Sequence, residues 1–309
     1  MILSWKEIIT LILLMPSLNL SGCRNGNTGK EAAVTATEKN YNPLGYDLSN
    51  PDRTFVLPGI LYEISGITEI DSSTVACIQD ENGVLFIYDL LKGMISKHYF
   101  FNNDGDYEGI ARVGKTIFVL RSDGIIFEIP DYEAGEFTRI AHRTGIPAAD
   151  NEGLCHDNYN NRLLIAPKSN IIDAKKSKRA IYGFNLKKRK LLEKPVIKFD
   201  MSDIRKFAIK NKIDLPMTGK KDKKEPVIEL RASAIGIHPL TKKLYLISGV
   251  EKLLFVFDME GTIEYMEKLD SDLFRQPEGI TFLGNGDMLI SNEGRGDRAT
   301  ILRFNLNVE

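Results

Sequence analysis

Five short phrases decide how this chain folds: Ser65-Gly66-Ile67, Glu108-Gly109-Ile110, Glu152-Gly153-Leu154, Ser233-Ala234-Ile235 and Glu278-Gly279-Ile280. Each joins a carboxylate or hydroxyl to a small residue and then to an aliphatic one. The small residues follow one another at intervals of 43, 44, 81 and 45 positions. A fixed period of that size marks a repeat architecture. The long interval holds one repeat ending near Asp200 and then a lysine-rich insertion over about 201–230. That insertion opens in a helix-like run, Ser202-Asp203-Ile204-Arg205-Lys206-Phe207.

Outward from each phrase the pattern continues alike. A turn leads to a short apolar strand (TVACI, TIFVL, RLLIA, KLYLI, DMLIS), and a polar turn leads to a third (VLFIYDL, IIFEIPD, AIYGFNL, LLFVFDM, ILRFNLN). A more polar fourth strand closes four of the units: ISKHYFF, EFTRIA, KPVIKFD and IEYMEKL. Runs rich in Ile, Val, Phe and Tyr between Gly, Asn and Asp turns predict antiparallel all-β structure. Four strands in roughly 43 residues is the period of a β-propeller blade. The fifth unit stops after its third strand, and Arg53-Thr54-Phe55-Val56-Leu57-Pro58 can supply the missing one, so that the ring keeps no open edge. The expected fold is a five-bladed β-propeller over 46–309, closed by an N-terminal strand. Its lysine-rich, partly helical insertion falls between blades three and four. A six-bladed ring would need 201–230 to supply a blade, and those residues lack the strand pattern.

Composition agrees with a folded domain. Of 309 residues 43% are hydrophobic and 27% charged, and the net charge is -1, which argues against wholesale nucleic-acid binding, since that needs a basic surface. Three cysteines, Cys23, Cys77 and Cys155, cannot build a disulfide framework, so a packed core must supply the stability. Charge is uneven: residues 168–224 hold 19 Lys and Arg against 6 Asp and Glu. The expectation is a solvated flap, kept soluble by its lysines and removable without loss of the fold. A basic flap can also touch anionic lipid head groups or glycans.

At the N-terminus, Lys6 precedes an apolar stretch from Ile8 to Leu20 that is too short to span a bilayer. Leu20-Ser21-Gly22-Cys23 resembles the lipobox of bacterial lipoproteins. That resemblance implies a signal peptide over 1–22, acylation of Cys23, a flexible tether over 23–45 and a location on the cell envelope, anchored to a plasma or outer membrane. Together with Leu61-Tyr62-Glu63-Ile64-Ser65, Asp106-Tyr107-Glu108, Asp150-Asn151-Glu152, Gln276-Pro277-Glu278 and Ile290-Ser291-Asn292-Glu293-Gly294, it is similar to the SdiA-regulated (YjiK-like) bacterial family. The resemblance implies a five-bladed propeller akin to NHL-repeat proteins, with calcium in the propeller and no firmly attached enzymatic activity.

In a blade, the start of strand one and the turn between strands two and three open on the same face. That face is expected to gather Ser65, Glu108, Glu152, Ser233 and Glu278 from the strand starts. The turns should add Asp80, Glu81, Arg121, Asp123, Lys168, Asn292 and Glu293. Glu108, Glu152 and Glu278 converge there. At roughly 6–7 Å and an effective dielectric near 20, each pair repels by about 2–3 kcal/mol. Protonation, pairing with Arg121 and Lys168, or a bound cation would each relieve this, and calcium suits flexible oxygen coordination. No Cys/His spacing suits zinc. Cys155 and His156 are adjacent on a strand and point to opposite faces, so they cannot readily act as a pair.

Two functions follow. One is a non-catalytic envelope module presenting a face to a protein, peptide or glycan. The other is a metal-dependent hydrolase (phosphodiesterase, lactonase or phytase-like esterase) at the channel mouth. A hydrolase would add paired Asn/Asp ligands and a base, for which Asn292 and Asp80 are the only obvious candidates, so the binding module is the favoured expectation.

Overall fold

The computed structural model describes residues 39–134, 138–168, 178–218 and 225–308. Cys23, the expected signal peptide and positions 23–38 of the expected tether lie outside them. A first strand, β1 (Arg53–Val56), precedes five antiparallel sheets. Blade one is β2 (Ile64–Asp71), β3 (Thr74–Gln79), β4 (Val84–Asp89) and β5 (Met94–Phe100). Blade two is β6 (Tyr107–Val113), β7 (Thr116–Arg121), β8 (Ile125–Ile129) and β9 (Ile140–Arg143). Blade three is β10 (Asn151–Asp157), β11 (Arg162–Pro167) and β12 (Lys178–Asn185), with a divided outer strand, β13 (Lys190–Leu191) and β14 (Ile197–Asp200). The helix α1 (Met201–Lys210) and the short pair β15 (Met217–Thr218) and β16 (Glu225–Pro226) follow. Blade four is β17 (Ala234–Ile237), β18 (Leu244–Ser248), β19 (Leu253–Phe257) and β20 (Ile263–Lys268). Blade five is β21 (Pro277–Phe282), β22 (Met288–Asn292), β23 (Thr300–Phe304) and β1.

The first strands β2, β6, β10, β17 and β21 touch in that order and return to β2. The molecule is a five-bladed β-propeller. Closure is by β1, paired antiparallel with β23 from Arg53 against Arg303 to Val56 against Thr300. Phe55 and Leu57 are buried beneath it, and Phe55 meets Tyr88 edge to face at 6.3 Å.

The small residue of each phrase answers to close packing of neighbouring first strands. A Cβ on Gly109 would lie 2.6 Å from the Glu152 carbonyl oxygen and from Leu154 Cβ, and one on Gly66 would lie 3.1 Å from the Glu108 carbonyl. The aliphatic residues seed the core: Ile67, Ile110, Leu154, Ile235 and Ile280 fall one each in five separate hydrophobic clusters.

Three boundaries differ from expectation. In blade two the outer strand starts at Ile140, later than the EFTRIA run suggests. Residues 39–45, placed in the tether, are bound to the domain. Asn42 Nδ2 donates to Glu267 Oε2 (2.9 Å), Asn307 N–H donates to the Gly45 carbonyl (2.9 Å), and Lys39 pairs with Asp52 (3.1 Å). The insertion is the largest departure. Asp200 caps α1 by accepting the Ser202 N–H (2.8 Å), and Met201, Ile204 and Ala208 turn one helix face inward. With Leu215, Ile228, Leu230 and Ala232 they join a cluster that also holds Leu164 of blade three and Leu246 of blade four. It is a wedge between blades. Lys206 and Lys210 lie exposed on the opposite face of the helix, as an amphipathic element requires.

Candidate functional site

The site begins with a local defect in the sheet. In blades one, two, three and five the pairing of strand one with strand two slips at Ser65, Glu108, Glu152 and Glu278. Such a bulge leaves one residue unpaired and re-aims its side chain. In blade four Ser233 stands just before β17, its N–H donating to the Ile247 carbonyl (2.8 Å).

Glu108, Glu152, Ser233 and Glu278 border a void of only 10 Å³, about the room one water molecule needs. Burial, then the charges of Glu152 and Asp106 and a hydrogen bond with Asp106, push the Glu108 carboxyl up to about 9. Glu152 is pushed up to about 8 by burial and by Glu278, although Lys168 Nζ donates to its Oε1 at 2.5 Å. Burial raises Glu278 as well, against hydrogen bonds from Ser233 and Gln276. The repulsion expected among the three is therefore relieved by a proton on Glu108 and by Lys168. Arg121 does not take part. It is committed to Asp123, two residues on in the same turn, through Nε (3.0 Å) and Nη2 (2.8 Å).

The other expected residues divide into two groups. Asp80 and Glu293 belong to the rim. Burial first, then Glu63, Glu293 and Glu81, push Asp80 up to about 6, and burial followed by Glu278 raises Glu293, whose carboxylate accepts from Arg295 Nε at 3.1 Å. Asn292, buried at the end of β22, gives its amide to Thr300 Oγ1 (3.3 Å). By contrast Ser65 turns aside and donates to the Tyr107 carbonyl (2.7 Å), while Glu81 and Asp123 are exposed. Asp106, Gln276, Glu63 and Arg295 were not anticipated. Asp106 and Gln276 stand two positions before the ring glutamates, inside the phrases already quoted.

Three buried oxygens of this face have no hydrogen-bond partner among the described residues: Asp80 Oδ1, Glu152 Oε2 and Asn292 Oδ1. Asn292 Oδ1 is an acceptor, and the two carboxyl oxygens are acceptors when ionised. The donor chemistry suits a hard cation, but among the described residues no three His, Cys, Asp or Glu side chains converge as a metal site.

The five aliphatic side chains of the phrases line the small void and also a far larger cavity beyond it, of 940 Å³. Side chains in a strand alternate, so the residue two places on faces the same axis. That rule yields Glu69, Arg112, His156, Ile237 and Phe282, all of which line the large cavity. The channel thus has three layers: carboxylates and hydroxyls, an aliphatic ring, and a mixed polar and apolar wall. Cys155, between two such positions, is buried in the inter-blade core, and burial pushes its thiol far up.

Comparison with known proteins bears on the fold. The chain is similar to the solved glutaminyl cyclase of Myxococcus xanthus, with a TM-score of 0.56 and 14% identity over 84% of this chain and 97% of that one. The likeness is one of fold. Streptogramin B lyase is more distant, at a TM-score of 0.46 and 14% identity over 82% of this chain and 97% of that one. No family model matches the chain, and no curated protein matches it.

Proposed function

We propose that this propeller is an envelope-anchored binding module of the SdiA-regulated kind, held to a lipid bilayer through acylated Cys23. Its acidic rim takes the positively charged, donor-rich part of a protein, peptide or glycan. The observation that supports this reading is the surplus of acceptors at ionised carboxylates and the Asn292 amide: Asp80 Oδ1, Glu152 Oε2 and Asn292 Oδ1 are buried with no donor among the described residues. Each such group costs about 1–3 kcal/mol while unsatisfied, and a ligand that brings N–H donors recovers that cost. Calcium belongs to the same proposal as a competitor for these oxygens. To bind at Glu108, Glu152 and Glu278 it must displace the Glu108 proton and draw Glu152 from Lys168.

The test is fluorescence anisotropy with a lysine-rich peptide and its fully acetylated form, using residues 24–309. The basic peptide is expected to bind at least tenfold more tightly, and Asp80→Asn combined with Glu152→Gln to erase the difference. Equal binding of the two peptides by the unmutated chain overturns the proposal.

A further inference from the structure

The 940 Å³ cavity lies across the aliphatic ring from the carboxylates, and none of the rim chemistry described above reaches it. Its volume falls within the range of about 300–1,000 Å³ in which small-molecule sites occur. The floor is Ile67, Ile110, Leu154, Ile235 and Ile280, and Ile237 and Phe282 extend the apolar surface up the wall.

Away from the edge of the cavity, the charged groups of the wall are already matched. Arg112 binds Glu69 through its Nε to the backbone carbonyl (2.8 Å) and its Nη2 to Oε2 (3.3 Å). Arg162 Nε donates to Asp157 Oδ2 (2.8 Å), which also accepts from Asn160 Nδ2 (2.8 Å). Lys242 and Glu260, of opposite sign, sit exposed at the edge. His238 is occupied: its Nδ1 accepts the Leu240 and Thr241 N–H groups (both 3.1 Å), and its Nε2 meets Tyr46 Oη (2.9 Å). Beyond that exposed edge a charged ligand would meet no unpaired counter-charge among the described residues, and burying it there would carry a desolvation cost with nothing to offset it.

His156 is different. Its imidazole lines the cavity and has no hydrogen-bond partner among the described residues. Burial and the neighbouring Arg112 lower its pKa, against the pull of Asp157, so the ring is neutral at neutral pH and offers one donor and one acceptor.

We propose that this cavity is a second binding site, which takes an uncharged, partly apolar small molecule: its apolar body rests on the aliphatic ring and its one hydrogen-bonding group meets His156. The site is separate from the acidic rim, and the proposal does not rest on the reading of that rim.

Two dyes test it. N-phenyl-1-naphthylamine is uncharged, carries one N–H and brightens in apolar surroundings; 8-anilino-1-naphthalenesulfonate is similar in size but carries a sulfonate. The neutral dye is expected to bind the chain saturably at one site per molecule, at least tenfold more tightly than the anionic one. His156→Trp fills the wall and should weaken the neutral dye at least tenfold. His156→Leu keeps the apolar surface, removes the hydrogen bond and should weaken it about threefold to tenfold. Melting curves establish that both variants fold. Absence of saturable binding by the neutral dye, equal affinity for the anionic dye, or unchanged binding in a folded His156→Trp variant each overturns the proposal.

Discussion

Replacing Glu108 with Gln tests the electrostatic account of the ring most directly. The amide keeps the shape of the protonated carboxyl and still offers a donor toward Asp106. A carboxyl held up at about 9 in the folded state, against about 4.5 when free, keeps its proton in the fold across the interval between those values. The stability it contributes is complete below pH 4.5 and is lost as pH rises toward 9. Between pH 5.5 and pH 8 the loss is at most about 3.4 kcal/mol, from about 1.4 kcal/mol per unit. Halving this for relaxation of neighbouring charges leaves about 2 kcal/mol, or about 4–8 °C in Tm for a domain of this size. The assay is thermal unfolding in both buffers with a chelator present. The original chain should melt lower at pH 8 than at pH 5.5, and Glu108→Gln should remove about half of that difference, because Glu152, itself pushed up to about 8, keeps its own share. Parallel losses in the two proteins would refute the reasoning.

Calcium should raise the Tm at pH 8, where a proton is more easily displaced from Glu108, and not at pH 5.5; a Tm indifferent to calcium and to chelator at both values would remove calcium from the proposal. Phe55→Ala should cost about 3–5 kcal/mol, because it opens a cavity beneath the closing strand, and an unchanged denaturation midpoint would contradict the role given to β1. Ile204→Ala should cost about 2–4 kcal/mol if the insertion is a wedge, measured by the same denaturation, whereas a detached flap would show no change. Cys23→Ser should leave the chain free of acyl groups, either released from membranes or held as an uncleaved precursor; wild-type chain recovered soluble and unacylated by mass spectrometry would exclude the anchor.

The blade count and the closing strand could be read from sequence because both depend on backbone period and turn chemistry, which repeat. The ring glutamates could be read for the same reason, since one strand position recurs in every blade. Partner choice could not. Arg121 and Lys168 occupy similar turns, yet Arg121 has an aspartate two residues on and is captured by it, while Lys168 reaches Glu152. The wedge was concealed by composition: its lysines dominate the count, while Met201, Ile204 and Ala208 form a helical stripe that charge totals do not register. The large cavity was missed for a third reason. Glu69, Arg112 and His156 share a layer but not a residue type, so no repeated letter marks them, although the two-residue alternation from Ile67, Ile110 and Leu154 leads to each.

The pairing of β1 with β23 sets an order of events as well as a shape. The strand that completes the last blade is made before any of the blades, and its partner is made after the first four. A nascent chain can assemble blades one to four as they emerge, but β1 must wait, its edge and Phe55 uncovered, until β23 arrives. Joining the two ends carries the entropic cost of bringing distant segments together, a cost that slows folding more than it reduces stability. A chain cut short before β23 therefore retains nearly every blade yet lacks the one step that locks them. Such fragments should be cleared by proteolysis much faster than the loss of a single strand would suggest.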